Sequence, residues 1–286
     1  MKRAALFLLL LLIGAGCFVW LSAVLADGPA DPPEFYFTRL AYRENPTGCC
    51  RHNYSRFRGF RIPTMPIPPQ YVCPEFGGKN FFPPQGWGWG TDYPGGDCKF
   101  MGGIHRLTGM RVSPNPNILA PMDPDLFKYP FIYAVEPGGM YFTDEEAVRI
   151  REYLLRGGFF YLDDFWGRRE RENFEEQMHK VFPEKQMELL SPKHEIFHTF
   201  FDIKEILQVP GEGRGCYGGP GWEVPDEIDP RVYAMTDDKG RVMVIATYNS
   251  DYGDAWEYMD EACYPEKFSG EAYRIGLNFM IYAMTH

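Results

Sequence analysis

Residues 35–286 predict a doubly wound α/β domain with a mainly parallel sheet, and three observations carry that reading. First, Tyr129 to Val135 is an unbroken apolar run closed by Pro137-Gly138-Gly139, as in a buried strand. Second, a helical pattern follows at once and leads through Gly157-Gly158 into another apolar run, Phe159-Phe160-Tyr161-Leu162. Strand, helix and strand joined by short links make a βαβ unit, hence parallel strands with a right-handed crossover. Third, the strand-like and helical segments keep alternating to the C-terminus, which is the pattern of a sheet covered on both faces.

The chain opens with Met1-Lys2-Arg3 and then carries no charge from Ala4 to Ala26. A basic start before an apolar stretch reads as an export signal, and Val24-Leu25-Ala26 offers a cleavage site before Asp27. The stretch is also long enough to span a bilayer, which takes about 20 residues, so an uncleaved membrane anchor stands beside the cleaved signal. Cys17 adds lipidation as a third reading. Residues 27–34 form a Pro/Asp linker. Phe35 to Leu40 reads as the first strand.

Residues 43–90 are a Cys/Pro-rich insertion, closed by Gly86-Trp87-Gly88-Trp89-Gly90. Proline removes backbone donors and fixes φ, so such a stretch builds neither helices nor central strands. Apart from Cys17 the chain has six cysteines, and four of them, Cys49, Cys50, Cys73 and Cys98, fall in or next to the insertion. An even number in an exported chain predicts disulfides, with at least one among these four. A metal site is the rival reading, but no C-x-x-C spacing occurs.

Asp92-Tyr93-Pro94 leads into a helix from about Asp97 to Leu107. Thr143 and Glu146 have the spacing of a capping box. Behind it Ala147, Ile150, Leu154 and Leu155 recur on one helix face. Further helices are expected over about 171–182 and 270–284, and a strand over 241–247. Residues 205–230, rich in Gly and Pro, read as an excursion within the same domain.

In a parallel sheet the strand C-termini share one edge, and ligands bind there where the strand order reverses. That edge collects Arg39 and Tyr42 from the first strand and Glu136 from the second. The third delivers Asp163, Asp164 and Trp166. The strand over 241–247 delivers Asn249, Asp251, Asp254, Trp256 and Glu257. Each has a plainer role available: Asp163 or Asp164 as a helix cap, Asp251 and Asp254 as turn residues, the two tryptophans as packing. Gathered carboxylates, however, repel one another unless a cation, a proton or an Arg compensates. Arg39 is the expected internal partner, and a divalent metal the expected cofactor if there is one.

His194-Glu195-Ile196-Phe197-His198 matches H-E-x-x-H, in which two His on one helix face hold zinc. Pro192 stands just before it, and the third His of the extended pattern is missing, since Phe201 and Lys204 occupy those places. His194 and His198 are therefore weak metal candidates.

Several short segments resemble a known family in their order: Tyr36-Phe37-Thr38-Arg39-Leu40, Trp89-Gly90-Thr91-Asp92-Tyr93-Pro94, Asp163-Asp164-Phe165-Trp166-Gly167, Asn249-Ser250-Asp251, Gly253-Asp254-Ala255-Trp256-Glu257 and Tyr282-Ala283-Met284-Thr285-His286. Together the chain resembles the bacterial domain of unknown function 4159. The resemblance implies a flavodoxin-like fold and a distant kinship with class I glutamine amidotransferases. Those enzymes carry a nucleophilic Cys on a strand-to-helix turn, where this chain has Asp163-Asp164-Phe165-Trp166-Gly167, so thiol catalysis is not expected. In the family the segment at His194 usually reads His-Pro-Ile-Phe-His, which makes the zinc pattern accidental.

Without residues 1–26, which hold Lys2, Arg3 and no acid, 27 basic face 39 acidic residues, a net charge of −12. Such a surface repels phosphate backbones and excludes nucleic acid as a partner. The expected function is a non-catalytic ligand-binding or assembly module in the periplasm or outside the cell. Its expected partner is cell-wall glycan or a membrane protein, with membrane contact through residues 4–26 if these stay attached. The alternative is a hydrolase using the acidic edge, with or without a metal.

Overall fold

The sheet is built on five parallel strands, almost wholly buried on both faces, and each face is covered by helices. The computed structural model describes residues 31–50, 72–78 and 88–286. The apolar segment 4–26 and much of the insertion lie outside the described residues. Glu34 to His286 form one unit.

The strands are β1 (Thr38–Leu40), β2 (Arg43–Glu44), β3 (Asn117–Leu119), β4 (Phe131–Val135), β5 (Met140–Tyr141), β6 (Phe159–Asp163), β7 (Glu188–Leu189), β8 (Arg231–Thr236) and β9 (Val242–Tyr248). The main sheet has the order β3-β1-β4-β6-β9-β8-β7. From β3 to β9 all neighbours are parallel. The winding runs outward from β1 in both directions, so this is a flavodoxin-like, doubly wound sheet with its switch point beside β1. The hairpin β8–β9 and the short β7 extend it antiparallel at one edge. β2 and β5 pair separately.

The helices are α1 (Gly95–Thr108), α2 (Asp144–Leu155), α3 (Gly167–Val181), α4 (Glu212–Tyr217), α5 (Tyr252–Glu257) and α6 (Glu266–Thr285). Successive strand residues alternate between two cores. Phe131, Tyr133, Phe159 and Tyr161 pack toward α1, α5 and α6. Ile132, Ala134, Phe160 and Leu162 pack toward α2 and α3. The high aromatic content goes here: Phe37, Phe100, Tyr133, Tyr161 and Trp256 form one network of ring contacts.

The expected capping box is present. Thr143 Oγ1 accepts from the N–H of Glu146, and Glu146 accepts from the N–H of Thr143. Helix ends differ by a few residues from the pattern: α1 begins two residues early, α3 four and α6 four. Several elements carry no sequence expectation: the short strands β2, β3, β5 and β7, the hairpin partner β8, α4 within the Gly/Pro excursion, and α5, whose acids read as turn residues.

Three disulfides are formed, Cys49–Cys50, Cys73–Cys98 and Cys216–Cys263. Cys73–Cys98 ties the insertion to α1. Cys216–Cys263 ties α4 to the segment before α6. Disulfides of this number are consistent with an oxidising, extracytoplasmic compartment. Among the described residues no helix is long and apolar enough to cross a membrane.

Candidate functional site

Three neighbouring strands end alike. β4, β6 and β9 are each followed by one residue in the left-handed region: Glu136 (φ 50°), Asp164 (φ 59°) and Asn249 (φ 54°). A residue other than Gly in that region is uncommon, and a row of three is a structural choice. It turns the chain sharply off the sheet, so the next side chains gather at the C-terminal edge. Asp92, on the approach to α1, shares the same conformation (φ 60°).

The segment after β9 supplies α5, and its Asp251 caps that helix by accepting from Asp254 N–H at 2.8 Å. Asp92 comes in from the other side. Asp92, Asp251 and Asp254 each offer a carboxylate oxygen, and the three oxygens lie within 4.8 Å of one another. Asp92 is 4 % exposed, and among the described residues its Oδ2 has no hydrogen-bond donor. That oxygen lies against Gly253, where a Cβ would come within 2.1 Å of it. Only glycine admits the carboxylate between Asp251 and Asp254.

The excursion closes over this group. Glu212 N–H donates to Asp254 Oδ2 at 2.6 Å, and Asp251 N–H donates to Val209 O. A Cβ at Gly211 would sit 3.1 Å from Asp251 Oδ2 and 3.2 Å from Asp254 Oδ2. Tyr264 OH holds Pro210 O at 2.7 Å. Burial, then the neighbouring acids, push the Asp92 and Asp251 carboxyls well above the usual range. Burial also raises Asp254, against the pull of Glu212 N–H.

The other expected residues divide sharply. Asp163 is fully buried and turns inward: Oδ2 accepts from the N–H groups of Tyr252 and Gly253 at 2.9 Å, and Oδ1 from Thr247 Oγ1 at 2.6 Å. Burial raises its carboxyl to about 7 in spite of these donors. It anchors α5 to the sheet. Asp164 Oδ1 accepts from Trp166 Nε1 at 2.5 Å. Asn249 is a clamp: Oδ1 accepts from Gly167 N–H, and Nδ2 donates to Glu227 O and Asp229 O. Trp166 and Trp256 are each 1 % exposed, so neither offers a ring face to a ligand. Trp256 stacks on Phe100 with centroids 4.2 Å apart. Glu257 faces the start of α1, where a Cβ on Gly95 would meet its carboxylate.

Arg39 departs from the expectation. Its partner is Asp97 on α1 and not the acids after β6 and β9. Nε donates to Asp97 at 3.1 Å, Nη2 also bonds it, and Nη1 donates to Trp89 O and Thr91 O. The reason is reach: α1 covers the switch point, so its first turn is the nearest acid to a guanidinium leaving β1. Both residues are 1 % exposed.

His194 and His198 stand apart from this edge, on a 3-10 turn over Glu195–His198 packed against α6. A 3-10 turn does not stack i and i+4 on one face. His194 Nδ1 accepts from Ile196 N–H, and the His198 ring bonds Asp202 and Pro192 O. Zinc of the H-E-x-x-H kind has no place here. All six cysteines beyond Cys17 are paired.

Sequence reasoning missed Asp92 as a site residue and Asp97 as the partner of Arg39. The only signal for Asp92 was its place in Trp89-Gly90-Thr91-Asp92-Tyr93-Pro94, ahead of Gly95-Gly96.

Fold and edge together define a flavodoxin-like domain with an acidic centre at its switch-point side. The chain belongs to the DUF4159 family, described as a domain of unknown function, whose family model matches residues 84–284. The match takes in Asp92, Asp251 and Asp254 and leaves β1 with Arg39 outside. No curated protein matches the chain.

Proposed function

We propose that this domain is an exported, non-catalytic binding module whose ligand is engaged at the acidic C-terminal edge of the sheet. The observation that carries it is the meeting of Asp92, Asp251 and Asp254 under the Val209–Glu212 segment. Folding brings together three acids that repel one another, and a ligand offering hydroxyls or positive charge offsets that repulsion. Among the described residues no histidine and no free thiol bonds to these acids, so a thiol or His-based hydrolase is not the reading the site favours. A kinship with amidotransferases would carry a fold and no activity.

Cell-wall glycan is the partner class this reading favours, with a membrane protein as the alternative. Export rests on the basic start and apolar run before Asp27, and on the three disulfides. The test is co-sedimentation of the purified chain with isolated cell-wall glycan. Binding that weakens at least tenfold in the double variant Asp251→Asn/Asp254→Asn, with an unchanged circular dichroism spectrum, supports the reading. Equal sedimentation of both proteins, or none of either, refutes it for glycan.

A further inference from the structure

We propose that Asp92, Asp251 and Asp254 form a binding site for a hard divalent cation of the Ca²⁺, Mg²⁺ or Mn²⁺ class. This deepens the reading above and rests on the same edge, but it fails or stands separately.

Two observations carry it independently. One is convergence: three carboxylate oxygens from two chain segments lie within 4.8 Å of one another, close enough to share one ion. The other is Asp92 Oδ2, buried and without a hydrogen bond among the described residues. A buried carboxylate oxygen without a donor is costly, and native proteins rarely leave one so. It is aimed at the turn that carries the other two acids, because it fills the space a Gly253 side chain would need. A shared proton relieves one pair of carboxylates; a divalent cation relieves all three at once.

The donor set selects the ion. Oxygen-only, carboxylate ligation suits Ca²⁺, Mg²⁺ and Mn²⁺, whereas zinc sites in proteins draw on His or Cys. Cys216 and Cys263, which flank the cover, are bonded to each other and offer no thiolate. Three acidic residues leave further coordination positions to water or to a ligand hydroxyl, as hard cations commonly keep. Asp254 is partly exposed, so the site lies close to the protein surface.

The cation also explains the cover. Asp254 spends one oxygen on Glu212 N–H, so an ion between the acids draws the Val209–Glu212 segment and the site together. The Cys216–Cys263 bond keeps α4 from leaving.

The test uses the full chain, stripped with EDTA and dialysed, then titrated with CaCl₂, MgCl₂ or MnCl₂. Isothermal titration reads stoichiometry, and thermal unfolding reads stabilisation. Saturable uptake of one ion per chain is expected, together with a melting temperature that rises with ion concentration as mass action requires. Asp92→Asn is the decisive variant. In EDTA it is expected to melt at or above the wild-type temperature, because a repulsive charge is gone, while its ion affinity falls at least tenfold. Absence of uptake and of any melting shift for all three ions at millimolar concentration overturns the site, and so does undiminished uptake in Asp92→Asn. Should Asp92→Asn fail to fold, Asp254→Asn is measured in its place with the same two outcomes. Glycan sedimentation repeated in EDTA separates the two proposals. Sedimentation without ion uptake leaves the binding module and removes the cation site, whereas ion uptake without sedimentation does the reverse.

Discussion

Asp163 shows how a carboxylate at a sheet edge becomes scaffold. Two backbone N–H groups and a threonine hydroxyl end on it, and all are buried. Asp163→Ala leaves the two amides without partners at about 1–3 kcal/mol each, while Thr247 Oγ1 keeps Leu162 O, so a loss on the order of 3 kcal/mol is expected. Asp163→Asn keeps an oxygen for the two amides, and Thr247 Oγ1 can accept from the new amide nitrogen. Its loss is expected to be less than half as large, as read by urea denaturation. Arg39 makes the companion case. Arg39→Ala strands Asp97 in the core and is expected to cost about 3–5 kcal/mol, whereas Arg39→Met with Asp97→Leu recovers most of that. A single variant as stable as wild type in the same assay would show that the pair is not structural.

At the scale of elements, the Gly/Pro excursion is held down by three ties of different chemistry. Tyr264 grips Pro210, Cys216–Cys263 staples α4, and Glu227 bonds Arg171 of α3. The disulfide closes a loop with a sequence separation of 47 residues, for which chain entropy gives a contribution of up to about 4 kcal/mol. Cys216→Ser/Cys263→Ser is expected to lower the urea midpoint and to make residues 209–217 the first site of proteolysis. The Arg171–Glu227 tie sets a pH dependence. Its hydrogen bond from Arg171 holds the Glu227 carboxyl down to about 2, from an ordinary 4.5. A depressed folded-state pKa contributes stability above the unfolded value and loses it as pH falls toward the folded one. The advantage of wild type over Glu227→Gln at pH 6 is therefore expected to fade between about pH 4.5 and 2. Thermal unfolding of both proteins across that range reads it. A difference that is constant with pH would contradict the assignment.

For the molecule as a whole, the disulfides and the N-terminal segment point the same way. Alkylation of the native, unreduced chain followed by mass measurement is expected to label fewer than six of the cysteines beyond Cys17, and none of them if all three bonds form. Labelling of all six refutes the oxidised fold. A reporter fused after residue 40 is expected to be active only outside the cytoplasm, and cytoplasmic activity would remove the export reading. N-terminal sequencing that begins at Asp27 decides for cleavage over anchoring.

The sequence by itself determined the layered α/β class, the βαβ unit around 129–163, the Thr143 capping box, and the edge at which acids gather. These follow from local periodicity and turn chemistry, which are written in neighbouring residues. It left β3 unread because a strand of three residues owes its place to pairing with a neighbour, not to its own pattern. Only the tertiary structure decided which acids become scaffold and which stay together. Asp163 and Asp251 look alike in sequence, yet Asp163 ends β6 and Asp251 follows the exit turn of β9. Asp163 meets the amides of α5, while Asp251 meets Asp92 from a segment some 160 residues away along the chain. Burial and donor supply set the role of a carboxylate, and both are properties of what the fold brings alongside it.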